Sequence, residues 1–212
     1  MQKSDFNFFC QGKHVYLRCF LVLLYFIIIV LLAADKTKLF EALNFYHNKQ
    51  LDIFVRYYTH LGDGIFSLLL CLFIYISLRQ KLLAAALLLA YATSGIVAQL
   101  LKAIIKTPRP KVFFAPNSYP FFIDDIINVG MQSFPSGHTA TAFAVACTLI
   151  IFTSSKFLNW VYFTLACFIG YSRIYLSQHF LLDITGGAII GVACGIICSS
   201  FILRNNFFQK FR

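Results

Sequence analysis

The chain predicts an all-α protein, a six-span transmembrane helical bundle with an interfacial helix between the first and second spans. Three observations predict it. The 212 residues are 59% hydrophobic and 12% charged, and a mean hydropathy of +0.75 is too apolar for a soluble domain. Apolar runs recur at lengths near the roughly 20 residues that cross a bilayer. The lysines and arginines stand mostly at the ends of those runs, where membrane anchors and topology signals sit. The net charge of +10 has no dense basic block behind it, so a nucleic-acid partner is not expected. There is no internal repeat and no sign of a second domain, so residues 1–212 read as one integral-membrane domain.

Taken in order, the first span is expected over 15–34. Lys3, Lys13 and Arg18 precede and enter it as in a signal peptide. Leu32, however, occupies a position where a cleavage site needs a small residue, and an uncleaved span is expected. Asp35 to Asp63 mixes charges with Phe40, Phe45, Tyr46, Phe54, Tyr57 and Tyr58, the pattern of an interfacial helix with an aromatic belt. Gly62-Asp63-Gly64 breaks the chain before the second span, 65–78. Arg79-Gln80-Lys81 turns it into the third, 82–101. A long loop over 102–134 follows, basic at its start and then rich in aromatics. Phe113, Phe114, Phe121 and Phe122 are expected either to guide a lipid or to pack on the span ends. The remaining spans are expected over 139–153, 157–172 and 180–203. Gly187, Gly191 and Gly195 put a small residue at every fourth position of the last one, which reads as close helix packing. The seven cysteines fall almost all inside apolar runs without Cys-x-x-Cys spacing and read as packing residues.

Six spans place both termini on one side. The eighteen basic residues divide evenly between the two faces. Long loops weigh less in setting orientation, so cytoplasmic termini are expected.

Polar residues close to apolar spans are costly and point to function. Lys102 ends the third span and Arg109-Pro110 follows. Phe134-Pro135-Ser136-Gly137-His138 opens the fourth, where helix-start residues present unpaired N–H groups and a positive dipole end to an anion. Gly137 allows close backbone approach, and His138 can move a proton near neutral pH. Ser172 and Arg173 close the fifth span, His179 precedes the sixth, and Asp183 lies four residues further on. That spacing puts the carboxylate within reach of the imidazole on one helix face. Three cations, two histidines, a serine and an acid thus converge at one membrane depth. Snorkelling span-end charges would explain Lys102 and Arg173 but not the two histidines.

Lys102-x6-Arg109-Pro110, Pro135-Ser136-Gly137-His138 and Ser172-Arg173-x5-His179-x3-Asp183 resemble the three signature motifs of the type 2 phosphatidic acid phosphatase family, complete and in order. Leu61-Gly62-Asp63-Gly64 resembles a stretch common before that family's second span. The likeness covers about residues 60 to 203. It implies a phosphatase in which Lys102, Arg109, Ser136, Gly137 and Arg173 bind the phosphate. His179 would attack phosphorus with Asp183 orienting it, and His138 would protonate the leaving oxygen and then activate water. No cofactor is expected, and no carboxylate cluster that would hold magnesium is evident. The implied substrate is a lipid phosphate in a bacterial inner membrane, with the site facing the periplasm. Undecaprenyl diphosphate or a related lipid is preferred, and lipid A or phosphatidylglycerol phosphate is the alternative. The same pocket in soluble relatives oxidises halides with vanadate, which six apolar spans argue against. A non-catalytic lipid-binding protein should show a broken catalytic position, and none is seen. Oligomeric state is not legible.

Overall fold

A computed structural model describes residues 14–114, 119, 122–123 and 130–209. In chain order the helices are α1 (His14–Ala33), α2 (Lys36–Leu43), α3 (Lys49–Tyr58), a 3-10 turn (Thr59–Gly62), α4 (Gly64–Ile76), α5 (Lys81–Ile105), α6 (Pro110–Phe113), α7 (Gly137–Phe152), α8 (Lys156–Tyr175), α9 (Leu181–Arg204) and α10 (Asn206–Gln209). Helices therefore occupy all six stretches where spans are expected.

The described helices account for part of the six expected crossings. By length and composition three can cross a membrane, α1, the stretch containing α5, and α9. A fourth is obtained only when α3 and its 3-10 extension join α4 across a 58° bend. The physical reason lies in the polar end of the bundle. Sixteen residues of α7 reach about 24 Å at 1.5 Å per residue, short of a ~30 Å hydrocarbon core. The twenty residues of α8 include Lys156, Asn159 and Arg173.

The expected single interfacial helix is two. Asp35 caps α2 by accepting from the N–H groups of Thr37 and Lys38, and Asn48 caps α3 by accepting from Leu51 N–H. Phe45, Tyr46, Phe54 and Tyr57 lie exposed along this segment, as an aromatic belt should, while Phe40 and Val55 are buried beneath it.

The glycine stripe is the contact between α9 and α7. A Cβ added at Gly187 would meet Thr139 Cβ at 3.1 Å, at Gly191 Phe143 Cβ at 2.8 Å, and at Gly195 Cys147 Cβ at 2.8 Å. Ala140 and Ala144 on the facing side are wholly buried, so the two backbones approach as closely as small residues allow. Ala86, Leu87, Ala90 and Ala98 of α5 are buried as well. Cys19, Cys71, Cys147, Cys167, Cys194 and Cys198 are unpaired thiols, buried or half-buried.

The described aromatics that follow α6 pack against the helix ends. Phe114, Tyr119 and Phe122 join Phe40 and Phe180 in one cluster, and the Tyr119 hydroxyl donates to the Asn44 carbonyl at 2.7 Å. Phe113 stays partly exposed, with the Lys36 ammonium 4.6 Å from its ring. Phe121 lies outside the described residues.

Candidate active site

Lys102 sits in the last turn of α5 and is 9% exposed. Lys106 closes that helix in the left-handed region, φ 46°, and turns the chain toward Arg109. Two backbone bonds then tie this turn to the loop entering α7. Arg109 N–H donates to Gly130 O at 3.1 Å, and Ser133 N–H donates to Thr107 O at 3.0 Å. The Thr107 hydroxyl accepts from Phe134 N–H at 2.9 Å. The first cationic segment and the Pro-Ser-Gly-His segment thus form one unit, although 27 residues separate Thr107 from Phe134.

Ser136 stands at the start of α7. Its hydroxyl caps α7, accepting from Thr139 Oγ1 at 2.9 Å and, more loosely, from Thr139 N–H. Its side chain is fully buried, and the residue is not part of the cavity wall. Its own N–H donates to Asp183 O at 2.9 Å, which pins the start of α7 to the first turn of α9. Gly137 does line the cavity, and a Cβ there would lie 3.5 Å from the Lys102 ammonium nitrogen.

Arg173 and His179 come from the end of α8 and the turn that follows it. The Arg173 carbonyl accepts from the N–H groups of Gln178 and His179, and Ser177 takes the left-handed region, φ 54°, to make that possible. Arg173 is 4% exposed; its Nη1 donates to Thr59 Oγ1 at 2.7 Å, while its Nε has no hydrogen-bond partner. His179 is 1% exposed, a buried group.

Asp183 stands 3.6 Å from His179 Nδ1, too long for a hydrogen bond. Its Oδ2 is held instead by the Ser133 hydroxyl at 2.5 Å and by Phe180 N–H at 2.8 Å, and His179 Nδ1 has no partner. Burial, reinforced by the Arg173 and Arg109 guanidiniums, pushes the His179 imidazole down to about 3, while Asp183 pulls the other way. The ring is therefore neutral at neutral pH, with a lone pair available.

These side chains meet around one cavity of about 810 Å³. Lys102, Arg109, Gly137, His138, Arg173 and His179 line it, and so does Asp63. Tyr91, Ala92, Gly95, Ile96 and Leu100 of α5 supply an apolar wall to the same space. The site is thus polar at one end and apolar along α5. Asp183 and Ser136 support it from behind. Among the described residues no group of three or more His, Cys, Asp or Glu is placed to hold a metal ion.

Four residues that reasoning from sequence gave no role complete the arrangement: Thr59, Asp63, Thr107 and Ser133. Asp63 carried a signal, an acid between two glycines at a helix start. Thr59 and Ser133 carried none, since each meets its partner 50 or more positions away.

Known proteins share the sequence and the fold of this chain. The profile described as PAP2 superfamily matches residues 83–207. The chain is 33% identical over 110 residues to a lipid A 4'-phosphatase of Porphyromonas gingivalis, covering 48% of this chain and 45% of that one. It thus spans less than half the length of that relative. It is 30% identical over 155 residues to phosphatidylglycerophosphatase B of Bacillus subtilis, covering 68% of this chain and 71% of the relative. The crystal structure of Aquifex aeolicus LpxE superposes with a TM-score of 0.68 at 32% identity, over 79% of this chain and 96% of that chain.

Proposed function

This chain belongs to the PAP2 superfamily, and from that premise we propose that it is a metal-independent phosphatase of a membrane lipid phosphate. The observation that carries the proposal is the two-sided cavity, in which three cations and two histidines share one space with an apolar wall. A lipid phosphate has the matching shape, a multiply charged head on an apolar stem. Lys102, Arg109 and Arg173 neutralise the equatorial oxygens, and the α7 N-terminus at Gly137 adds backbone donors. The unpartnered Arg173 Nε is a buried donor that an anion would satisfy.

In the first half-reaction neutral His179 forms a P–N bond as the P–O bond to the lipid breaks, and His138 gives its proton to the departing oxygen. The covalent bond places positive charge on the His179 ring beside Asp183, whose carboxylate is already fixed by Ser133 and Phe180 N–H. In the second half-reaction His138 takes a proton from water, which attacks phosphorus and releases phosphate. With three fixed cations at the phosphate, the chemistry needs no metal.

The substrate is a phosphate monoester or diphosphate of a lipid. Undecaprenyl diphosphate or a related lipid remains the preferred reading, with lipid A phosphate and phosphatidylglycerol phosphate as alternatives. The names of the relatives above favour keeping both monoesters in the panel. Cytoplasmic termini and a site facing the periplasm complete the proposal. Phosphate release by purified protein in detergent, across that panel and with chelator present, is the test. Turnover of at least one lipid phosphate, resistant to chelation and inhibited by vanadate, is expected. An absolute magnesium requirement, or turnover only of soluble esters, would contradict it.

A further inference from the structure

We propose that Asp63 is the positioning residue of the proton donor, its carboxylate bridging the exposed His60 and the cavity-lining His138 so that the His138 ring is held in place with one nitrogen free for the leaving oxygen. The inference rests on the reading of His138 as the group that protonates the leaving oxygen.

Asp63 stands at the N-cap position of α4, with φ −78° and ψ 153°, where an aspartate normally accepts from the helix's first N–H groups. Its side chain makes no such bond. Both oxygens go to histidines instead, Oδ1 to His138 Nε2 at 2.6 Å and Oδ2 to His60 Nδ1 at 2.5 Å. A carboxylate that leaves a helix start uncapped in order to bind two imidazoles is placed for those imidazoles.

The backbone is arranged to bring it there. A Cβ at Gly62 would lie 2.7 Å from Ile169 Cγ2 and 3.1 Å from the His138 carbonyl. The 3-10 turn therefore rests against the His138 backbone at a distance that only glycine permits. Asp63 lines the same cavity as His138.

Charge explains why such a partner is wanted. Lys102 from α5 and Arg173 from α8 face the His138 ring, and Asp63 from the start of α4 faces it with His60 of the 3-10 turn behind. Burial and the two cations lower the His138 imidazole's hold on its proton, and the adjacent carboxylate opposes them. With Nε2 on Asp63, Nδ1 is the nitrogen that delivers the proton. Asp63 makes and breaks no bond to substrate. The proton passes from Nδ1 to the leaving oxygen and is regained from water in the second half-reaction.

The test compares wild type, Asp63→Asn and His138→Ala, each purified in detergent, on two substrates. Phosphatidic acid has an alkoxide leaving group that needs the proton, and p-nitrophenyl phosphate has a leaving group that does not. In kcat/KM, which reports the step in which the leaving group departs and not the later attack of water, Asp63→Asn should lose roughly 10- to 100-fold on phosphatidic acid and less than about threefold on the aryl ester. Its alkaline limb of kcat/KM should move to lower pH, because the amide no longer favours the charged ring. Asp63→Glu keeps the charge and should leave that limb close to the wild-type position while lowering kcat, which also covers an amide variant that fails to fold. Equal kcat/KM losses on both substrates with an unmoved limb in Asp63→Asn, alongside a kcat/KM split between the substrates in His138→Ala, would overturn the inference and leave the donor reading intact. A His138→Ala enzyme with no split would bring down the donor reading and this inference with it.

Discussion

His138 and His179 are the same residue in opposite surroundings. His179 is fully buried, its Nδ1 has no hydrogen-bond partner, and two guanidiniums press it toward the neutral form. His138 keeps about a third of its side chain exposed, 30%, and has a carboxylate bonded to Nε2. Burial disfavours the charged form of both, taking His179 down to about 3, but the His138 ring has a carboxylate hydrogen-bonded to it that opposes the shift. A pair of titratable groups driven apart by environment is how a single site runs nucleophilic and acid steps at one pH. The division comes from packing, since the two residues themselves are chemically identical.

The strongest way to break this comparison is to remove the cations that both rings share. Lys102→Ala, Arg109→Ala and Arg173→Ala should each lower kcat/KM by roughly a hundredfold or more, as loss of a preorganised electrostatic donor does. Arg173→Ala should also remove the stronger of the two hydrogen bonds that the Thr59 hydroxyl accepts, leaving the one from the Ser172 hydroxyl at 3.1 Å. Steady-state rates on the best lipid phosphate measure this. A loss under about threefold for all three would mean that the phosphate is held elsewhere.

Stability against pH sharpens the comparison. An ordinary histidine binds a proton near 6.5, and buried His179 does so only near 3, so the unfolded chain takes up a proton first as pH falls. The contribution of His179 is therefore fully present above about 6.5 and is lost as pH falls through that window toward 3. Thermal unfolding of the detergent-solubilised protein should fall over that range. His179→Asn should flatten the decline, and His138→Asn should flatten it less. Identical slopes for the two variants would mean that the two rings do not differ in burial.

The smallest effect expected is at the aromatic roof. Phe122 packs with Phe114 and Tyr119 in the cluster that includes Phe180, next to His179. Phe122→Ser should lower the melting temperature and reduce rates about equally, a fewfold, on long-chain and short-chain phosphates. A loss confined to long-chain substrates would assign the loop to lipid guidance instead.

Much of this was legible in the sequence, for reasons that differ by residue. Phosphate chemistry needs cations and imidazoles at span ends, where apolar neighbours make Lys102, Arg109, Arg173 and both histidines conspicuous. The small-residue stripe of α9 gave its packing away because close helix approach demands it. Span lengths were less legible, since α5 continues through Ala103–Ile105 before Lys106 stops it, and α7 opens at Gly137 rather than two residues later. Ser136 has the chemistry of an anion ligand and of a helix cap alike, and only the fold places its hydroxyl on Thr139. The spacing of four brings Asp183 within 3.6 Å of His179, but its hydrogen bonds go to Ser133 and Phe180 N–H, and the Ser133 contact spans 50 positions.

The covalent intermediate is the most direct measurement. Wild-type protein quenched during turnover of a radiolabelled lipid phosphate should carry label that is stable in alkali and lost in acid, and peptide mass spectrometry should locate it on His179. His138→Ala, given an aryl phosphate that forms the intermediate without a proton donor, should accumulate more of it because water is no longer activated. His179→Ala should carry none and turn over nothing. Label on any other residue, or turnover by His179→Ala near the wild-type rate, would contradict the assignment of the nucleophile.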